Sequence, residues 1–562
     1  MSVYVLGTGL SHDGSSCLIK DGELIVAIEK ERLTRRKHDG GNDFLSAQYC
    51  LDTAGIKAKD LALIVQAANF EMDIARNRYL GKRIFEHAPD VPLVTISHHL
   101  AHAWGAALSS GFKTCNVMVI DGCGSPFEQC IDKDGATFPS YDYQTGLFCE
   151  KDSFYYFDGK DMQTIFKDFS EVRLHQNKHP LQFTTNYHSI GALYSAVSSY
   201  CFGNMDDAGK LMGLAPYGLS ATAKPGIFKL KEGIVEIDHE AIAAYFNSPA
   251  LNYEAFKANF QHYADLAKWV QQETEKAIVY LFNQRYCMHP HPNMAYAGGV
   301  ALNAVANQQL LKQKSVQQLF MQPAAGDNGL SIGCAWYGWI KVLNNSWQAS
   351  SPTPFLGRSY STHAIEEAIR RFEDEKQIRL KVKRDEQYIK TTAGLLAQGK
   401  VVGWFHGGAE FGPRSLGHRS ILAQPGNKDT RTHINRNIKF REDFRPFAPS
   451  VQKEKAGTYF IHGWDSPYMI LIDEIRPEWK DVMPAIIHED GSCRVQTVDH
   501  AWNPGFHQLL GEFEAISGIG VLLNTSLNRK GMPIVETPLE ALDLFYSGAM
   551  DILVLHHIII SK

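Results

Sequence analysis

Residues 3–28, VYVLGTGLSHDGSSCLIKDGELIVAI, read as strand, polar loop, strand, tight turn and strand. Val3 to Gly7 is an apolar run, His12-Asp13-Gly14 breaks the pattern, and Ser16 to Ile19 and Glu23 to Ile28 flank Asp21-Gly22. An Asp-Gly pair between two apolar runs signals a two-residue hairpin turn, because both central residues need positive φ. The chain thus begins as an α/β domain whose first loop sets an imidazole beside a carboxylate.

This opening is similar to that of actin, sugar kinases and related ATPases, whose first loop faces nucleotide phosphates. With 562 residues, 44% of them apolar, the chain exceeds one core, and two to four packed units are expected. Net charge is −5 and the pI about 6.5 with no long basic run, which disfavours duplex nucleic acid as a partner. An anionic small molecule must then be held by local Arg and Lys clusters. The ten cysteines form no CxxC pair and are expected as small buried apolar groups. The chain opens on a strand without a leader pattern, and no apolar run approaches the roughly 20 residues of a membrane span. A cytoplasmic protein with no membrane partner is expected.

In Ser97-His98-His99-Leu100-Ala101-His102-Ala103, His98 and His102 stand one helical turn apart, so both rings can reach one cation. The strand-like run Asn116 to Asp121 then delivers a carboxylate ahead of the turn Gly122-Cys-Gly-Ser125. Asp327, in Gly326-Asp327-Asn328-Gly329, is a further acidic companion. Imidazole with carboxylate suits iron, manganese or zinc, and the residues do not choose among them.

Helices are expected over Ser189–Tyr200, Tyr263–Tyr286 and Asn303–Leu311. Between the last two lies a short strand, Asn293–Ala297, and the turn Gly298-Gly299-Val300-Ala301-Leu302-Asn303. Strand, Gly-Gly turn and helix start make a cradle for nucleotide oxygens, or a turn chosen for tight packing. No internal repeat is evident. Loop-rich Asn344–Ser361 sets the domain boundary, and the next unit starts with a helix over Thr362–Glu375. This gives domains 1–345 and 356–548, with a last strand of about 549–562 as a candidate to return to the first.

In the second domain Arg414, Arg419, Lys439, Arg441 and Arg445 alternate with Gly, Pro, Ser and Phe, a pattern that suits an anion pocket as well as a solvated surface. Asn524-Thr525-Ser526-Leu527-Asn528 follows the apolar run Ile519–Leu523 and sets polar donors at a strand end.

Taken together, these motifs resemble those of the O-carbamoyltransferases that decorate antibiotics and nodulation factors. The likeness runs nearly end to end: His12-Asp13, Glu29 to His38, His98/His102, Asp121-Gly122, Gly209 to Gly218, Gly298 to Asn303, Gly326 to Gly329, Glu410 to Arg414, Phe444 to Pro449 and Asn524 to Ser526. Lys30, Ser415 and Leu527 depart from the usual Glu, Ala and Phe without removing a group assigned to chemistry. The resemblance implies an actin-like, sugar-kinase-type two-lobed N-terminal domain and a YrdC-like α/β C-terminal domain. The second would bind ATP, with Mg2+, and carbamoyl phosphate and form carbamoyl adenylate; the first would pass the carbamoyl group to an acceptor hydroxyl. It further implies His98, His102, Asp121 and Asp327 as ligands of a divalent metal, Fe(II).

Arg414 and Lys439 are the expected catalytic cations of adenylate formation, and His12 with Asp13 the candidate base for the acceptor hydroxyl, or a ribose, phosphate or turn ligand. Expected at the nucleotide and phosphates are Lys37, Lys210, Gly213, Gly298, Gly299, Val300, Asn303, Arg419, Arg445, Arg494, Asn524, Ser526 and Asn528. The acceptor is expected against loops within Phe127–Leu181, rich in Tyr141, Tyr143, Phe154, Tyr155, Tyr156 and Phe157, and near Asn186–Ser189. Alternatives are a threonylcarbamoyl-type tRNA enzyme, against which the lack of a basic face argues, and a nucleotide-binding regulator without catalysis. A homodimer is compatible with the chain, although no sequence signal carries it.

Overall fold

The structure is a computed structural model that describes residues 2–41, 44–67, 90–173, 181–183, 185–219, 224–313, 315–350 and 353–562. The chain divides into two compact units: residues 1–30 with 38–352, and residues 31–37 with 353–562.

The first unit contains two five-stranded sheets. In one, β1 (Tyr4–Gly9), β2 (Ser15–Lys20) and β3 (Glu23–Glu29) form an antiparallel meander, and β4 (Leu63–Ala67) and β5 (Leu93–Ile96) extend it in parallel on the other side of β1, giving the order β3-β2-β1-β4-β5. The meander turns at Asp21 (φ 50°) and Gly22 (φ 88°), as the Asp-Gly signal requires. In the other, β6 (Cys115–Ile120), β7 (Phe148–Phe157) and β8 (Met162–Glu171) are antiparallel. A small hairpin, β9 (Phe228–Lys231) and β10 (Ile234–Ile237), comes next in the chain, and β11 (Asn293–Ala297) and β12 (Gln318–Met321) then add in parallel beside β6. The order β8-β7-β6-β11-β12 repeats the first sheet strand for strand. The unit is a duplicated actin-like α/β fold, and this repeat corrects the reading that the chain has none.

Each sheet's last strand leads into a helix that faces the other's. Helix His98–Ser109 follows β5 and is buried along its whole length, and helix Leu330–Tyr337 follows β12. They cross at Gly105 and Gly333, where a Cβ on Gly333 would lie 1.7 Å from the carbonyl oxygen of Ala101. The absence of side chains at this crossing lets the backbones meet, and it carries the start of one helix toward the start of the other. The first begins there with His98, the second is preceded by Asp327, and Asp121 directly follows β6.

The second unit is a mixed eight-stranded sheet built from β13 (Lys381–Arg384), β14 (Val402–Phe405), β15 (Arg419–Ala423), β16 (Ala448–Gln452), β19 (Gln496–Val498), β20 (Val521–Ser526), β21 (Ile552–Leu555) and β22 (Ile558–Ser561), with a two-stranded patch of β17 (Asp473–Glu474) and β18 (Ser492–Cys493) beside it. Helices Tyr388–Ala397 and Pro504–Ser517 bury Trp404, Leu422, Leu522 and Val554, and the opposite layer buries Phe405, Ile421, Leu523 and Leu555. Both faces are covered, which is why 552–555 and 558–560 read as apolar runs without alternation. The last strands pair inside this sheet through β14 and β21, so residues 549–562 do not return to the first unit. Residues 31–37 belong here because Arg32 donates to the Gly412 carbonyl (2.7 Å) and Arg35 to those of Pro533 (2.8 Å) and Ile534 (2.7 Å).

Candidate active site

In the first unit His98 Nε2 lies 3.0 Å from Asp121 Oδ2 and 3.5 Å from Asp327 Oδ1, and His102 Nε2 lies 3.1 Å from His98 Nε2 and 3.6 Å from Asp121 Oδ2. One donor atom from each of the four residues falls within 4.8 Å of the rest, and both rings are buried. Burial opposes charge on His98, yet Asp327 and Asp121 outweigh it and raise its pKa well above the ordinary value. The carboxyl of Asp121 is held far down by the two histidines against the burial that would raise it. Two nitrogen and two oxygen donors converging in a buried space fit a divalent cation.

The carboxylates are braced from behind. Asp121 Oδ1 accepts the N–H groups of Gly122 (2.8 Å) and Gly299 (3.1 Å), and Asp327 accepts the hydroxyl of Ser11. Next to Ser11, His12 spans two carboxylates: Nδ1 is 3.3 Å from Asp13 and Nε2 3.1 Å from Asp206. His38 binds the other oxygen of Asp13 at 2.9 Å. Hydrogen bonds to Asp13 and Asp206 raise the pKa of His12 to about 11, so it is an imidazolium at neutral pH.

In the second unit Lys37, Arg414, Lys439, Arg441, Arg445 and Arg494 lie within one another's electrostatic reach. Burial, and then Arg445, lowers Arg414 to about 10. Burial with neighbouring guanidinium groups pushes Arg441 and Arg494 far below the usual value, and Lys439 is pushed down by burial, Arg441, Arg445 and Lys37. Lys439 donates to the carbonyl and hydroxyl of Ser526 and to Asn528. It ends a π-helical turn, Ile434–Lys439, a distortion frequent at functional sites. The Nε atoms of Arg414 and Arg494 are buried without a hydrogen-bond partner.

The family model described as "Carbamoyltransferase N-terminus" matches residues 5–91 and 64–336, and that described as "Carbamoyltransferase C-terminus" matches residues 393–562. The chain belongs to the carbamoyltransferase family. Its relatives include an uncharacterized protein of Synechocystis sp., 32% identical over 100% of this chain and 97% of the other. Nodulation protein NolNO of Sinorhizobium fredii is 29% identical over 98% of this chain and 79% of its own. The 3'-hydroxymethylcephem-O-carbamoyltransferase of Amycolatopsis lactamdurans is 32% identical over 58% of this chain and 59% of its own.

Several expected positions do other work in this carbamoyltransferase. Arg419 is fully buried, donates to the carbonyls of His406, Gly407 (3.1 Å) and Glu536 (3.3 Å), and stacks on Phe405 at 3.5 Å. It braces loops rather than meeting a phosphate. Gly298 and Gly299 are no open cradle, since their N–H groups go to Ala325 and Asp121; Asn303 caps helix Ala304–Leu311 and exchanges amide bonds with Gln271. Buried Val300 lies on the short turn between them. Lys210 pairs with Asp207 at 2.6 Å, and Gly213 is buried in helix Ala208–Leu214. The base role of His12 meets the difficulty that a base must start without its proton.

Asn524 is buried, with its amide N–H donating to Ser415, Ser450 and Gln496, and Ser526 bonds Asn528 at 2.7 Å. Phe154, Tyr155 and Phe157 are core residues, whereas Tyr141 and Tyr143 nest with Phe127, which stacks on Tyr143 at 3.9 Å. The rest of that loop, 174–180, lies outside the described residues. Sequence reasoning missed Ser11 and Asp206 and gave His38 and Glu410 no role beyond their motifs; the buried carboxylate of Glu410 accepts the N–H groups of Leu416 (2.7 Å), His418 (2.8 Å) and Arg419 (3.1 Å) and so shapes the loop that presents Arg414. The pairing of His12 with His38 through Asp13 was signalled only by loop composition. Among the described residues no helix is long and apolar enough to cross a membrane.

Proposed function

We propose that the chain is an ATP-dependent, cytoplasmic O-carbamoyltransferase that works through two half-reactions. Carbamoyl adenylate forms in the second, YrdC-like unit, and its carbamoyl group passes in the first unit to a hydroxyl of a small natural-product or sugar-like acceptor. The observation that carries this reading is the cation cluster. Half-buried guanidinium groups gathered around the buried Lys439 and lowering one another's pKa, with the Nε atoms of Arg414 and Arg494 left without partners, are stabilised by a polyanion.

Carbamoyl phosphate and ATP supply that charge. Water hydrolyses carbamoyl phosphate to carbamate and inorganic phosphate, and a carbamate oxygen attacks the α-phosphorus of ATP; the bond to the β-phosphate oxygen breaks and pyrophosphate leaves. Arg414, Arg445 and Arg494 neutralise the phosphates as the anhydride forms, and Lys439, steadied by Ser526 and Asn528, adds a point charge. In the transfer step the acceptor oxygen bonds the carbonyl carbon, AMP leaves with the anhydride oxygen, and the hydroxyl proton is released. His12, held protonated with its two ring N–H groups on Asp13 and Asp206, fixes a positive charge next to Ser11, whose hydroxyl bonds Asp327. His98, His102, Asp121 and Asp327 would hold a divalent ion, Fe(II) by the family resemblance, which would supply Lewis acidity there when bound.

Incubation of the full chain with ATP and carbamoyl phosphate is expected to yield pyrophosphate without any acceptor, and AMP as water hydrolyses the adenylate. Absence of both products, with ATP shown to be bound, would refute the reading.

A further inference from the structure

Behind the histidine helix of the first unit lies a charged group that the proposed chemistry does not use. Glu150 and Lys167 are both fully buried and form a direct ion pair. Lys167 also reaches Asp132 (2.9 Å) and the hydroxyl of Tyr155 (3.0 Å), so the ammonium fills the centre of the Cys130, Asp132 and Glu150 cluster, where an ion could otherwise sit. The second oxygen of Glu150 accepts the backbone N–H of His99 (3.2 Å) and of Ser125 (2.9 Å), and the Ser125 hydroxyl in turn accepts the N–H of His98 (2.9 Å). Ser97, at the cap position of this helix, makes no side-chain cap bond. The opening N–H groups of the helix therefore depend on Glu150 and Ser125.

A buried ion pair is a weak source of stability, because apolar residues of similar volume often serve as well. Its carboxylate does, however, fix a direction. We infer that Glu150, neutralised by Lys167, is a positioning residue: it clamps the first turn of helix His98–Ser109 and so sets the aim of His98 and His102 at Asp121 and Asp327. The inference rests on the metal reading given above. Partners behind the ligands of a metal commonly change its affinity by about 10- to 100-fold.

The test is Co(II) titration of the full chain, followed by the visible absorption of the bound ion, alongside thermal unfolding. E150D keeps the charge facing Lys167 but withdraws the carboxylate from the helix. It is expected to bind Co(II) about 10- to 100-fold more weakly, with a shifted spectrum and adenylate formation in the second unit unchanged. E150Q keeps an acceptor oxygen for the helix and leaves the Lys167 ammonium paired with Asp132, and is expected to bind within about threefold of wild type, well inside the range such partners command. Wild-type affinity and spectrum in E150D would overturn the inference, and so would a folded E150Q variant that binds as weakly as E150D is expected to. Should E150D not fold, E150Q decides alone. Failure of the wild-type chain to take up Co(II) would sink the metal reading itself, and the inference with it.

Discussion

The Nε2 atoms of His98 and His102 lie 3.1 Å apart, and both face the same oxygen of Asp121, at 3.0 and 3.6 Å. A neutral imidazole has one ring proton, so these two nitrogens cannot both donate to the carboxylate and still attract each other. A cation shared among them resolves the conflict, and the buried setting makes the alternative of separate charges expensive.

Metal loading should therefore stabilise the first unit. A divalent ion at about 100 times its dissociation constant contributes about 2.7 kcal/mol through linkage, visible as a rise in unfolding temperature by calorimetry. His102→Ala should remove the rise. Chelation followed by restoring Mg2+ for ATP should stop carbamoyl transfer while pyrophosphate release persists; loss of both together would place the ion in a different step.

Arg414, in a glycine-rich loop, and Arg419, at the start of β15, stand five residues apart and should fail differently. Arg414→Ala removes a cation whose buried Nε has no partner among the described residues, and is expected to slow pyrophosphate release about 100- to 1000-fold with folding intact. Arg419→Met strands three carbonyls and should cost roughly 2–4 kcal/mol of stability while leaving the KM for ATP near wild type. Equal kinetic damage in both variants would contradict the distinction.

The contrast between these arginines shows where the sequence was informative. Local signals were readable: Asp21-Gly22 announces its hairpin, Ser361 caps the helix expected from Thr362, and the i, i+4 histidines declare their shared face. What resisted was long-range. Arg414 and Arg419 share one composition, and only burial against Phe405 separates them. Residues 31–37 join the second unit through guanidinium bonds to carbonyls hundreds of positions away. The duplication escaped notice because β1 and β6 repeat a pairing order, not side chains: YVLGTG against CNVMVI. Asp206 sits in an unremarkable Asn-Met-Asp-Asp run, and its partnership with His12 exists only in three dimensions.

His12 gives a pH signature. Folding raises its pKa from 6.5 to about 11, chiefly through Asp13 and then Asp206, so the folded chain holds this proton more tightly than the unfolded one. The stabilisation is fully present below pH 6.5, declines as the pH climbs through the window above it, and is lost past about 11. With 44% of the side chain exposed, solvent trims its size. Subtracting the unfolding free energy of His12→Asn from that of wild type across pH 5–10 should reveal the decline. A flat difference would show that His12 titrates normally, and would restore it as a candidate base.

Gly333 is the last test, because it separates architecture from chemistry. A methyl group there would lie 1.7 Å from the Ala101 carbonyl oxygen and 2.9 Å from the Gly105 nitrogen, all backbone atoms that cannot rotate away. Gly333→Ala must push helix His98–Ser109 off helix Leu330–Tyr337, which moves His98 and His102 relative to Asp327 without altering any donor. The expected outcome is a loss of roughly 2–4 kcal/mol in the first unit, as for other overpacked cores, together with weakened metal binding. Pyrophosphate release, assigned by the proposed mechanism to Arg414, Lys439, Arg445 and Arg494 of the other unit, should stay within about twofold of wild type, because the substitution shares no partner with them. Wild-type Co(II) affinity in this variant would mean that the four donors can find one another without the helix crossing, and that the crossing does not determine the site's geometry.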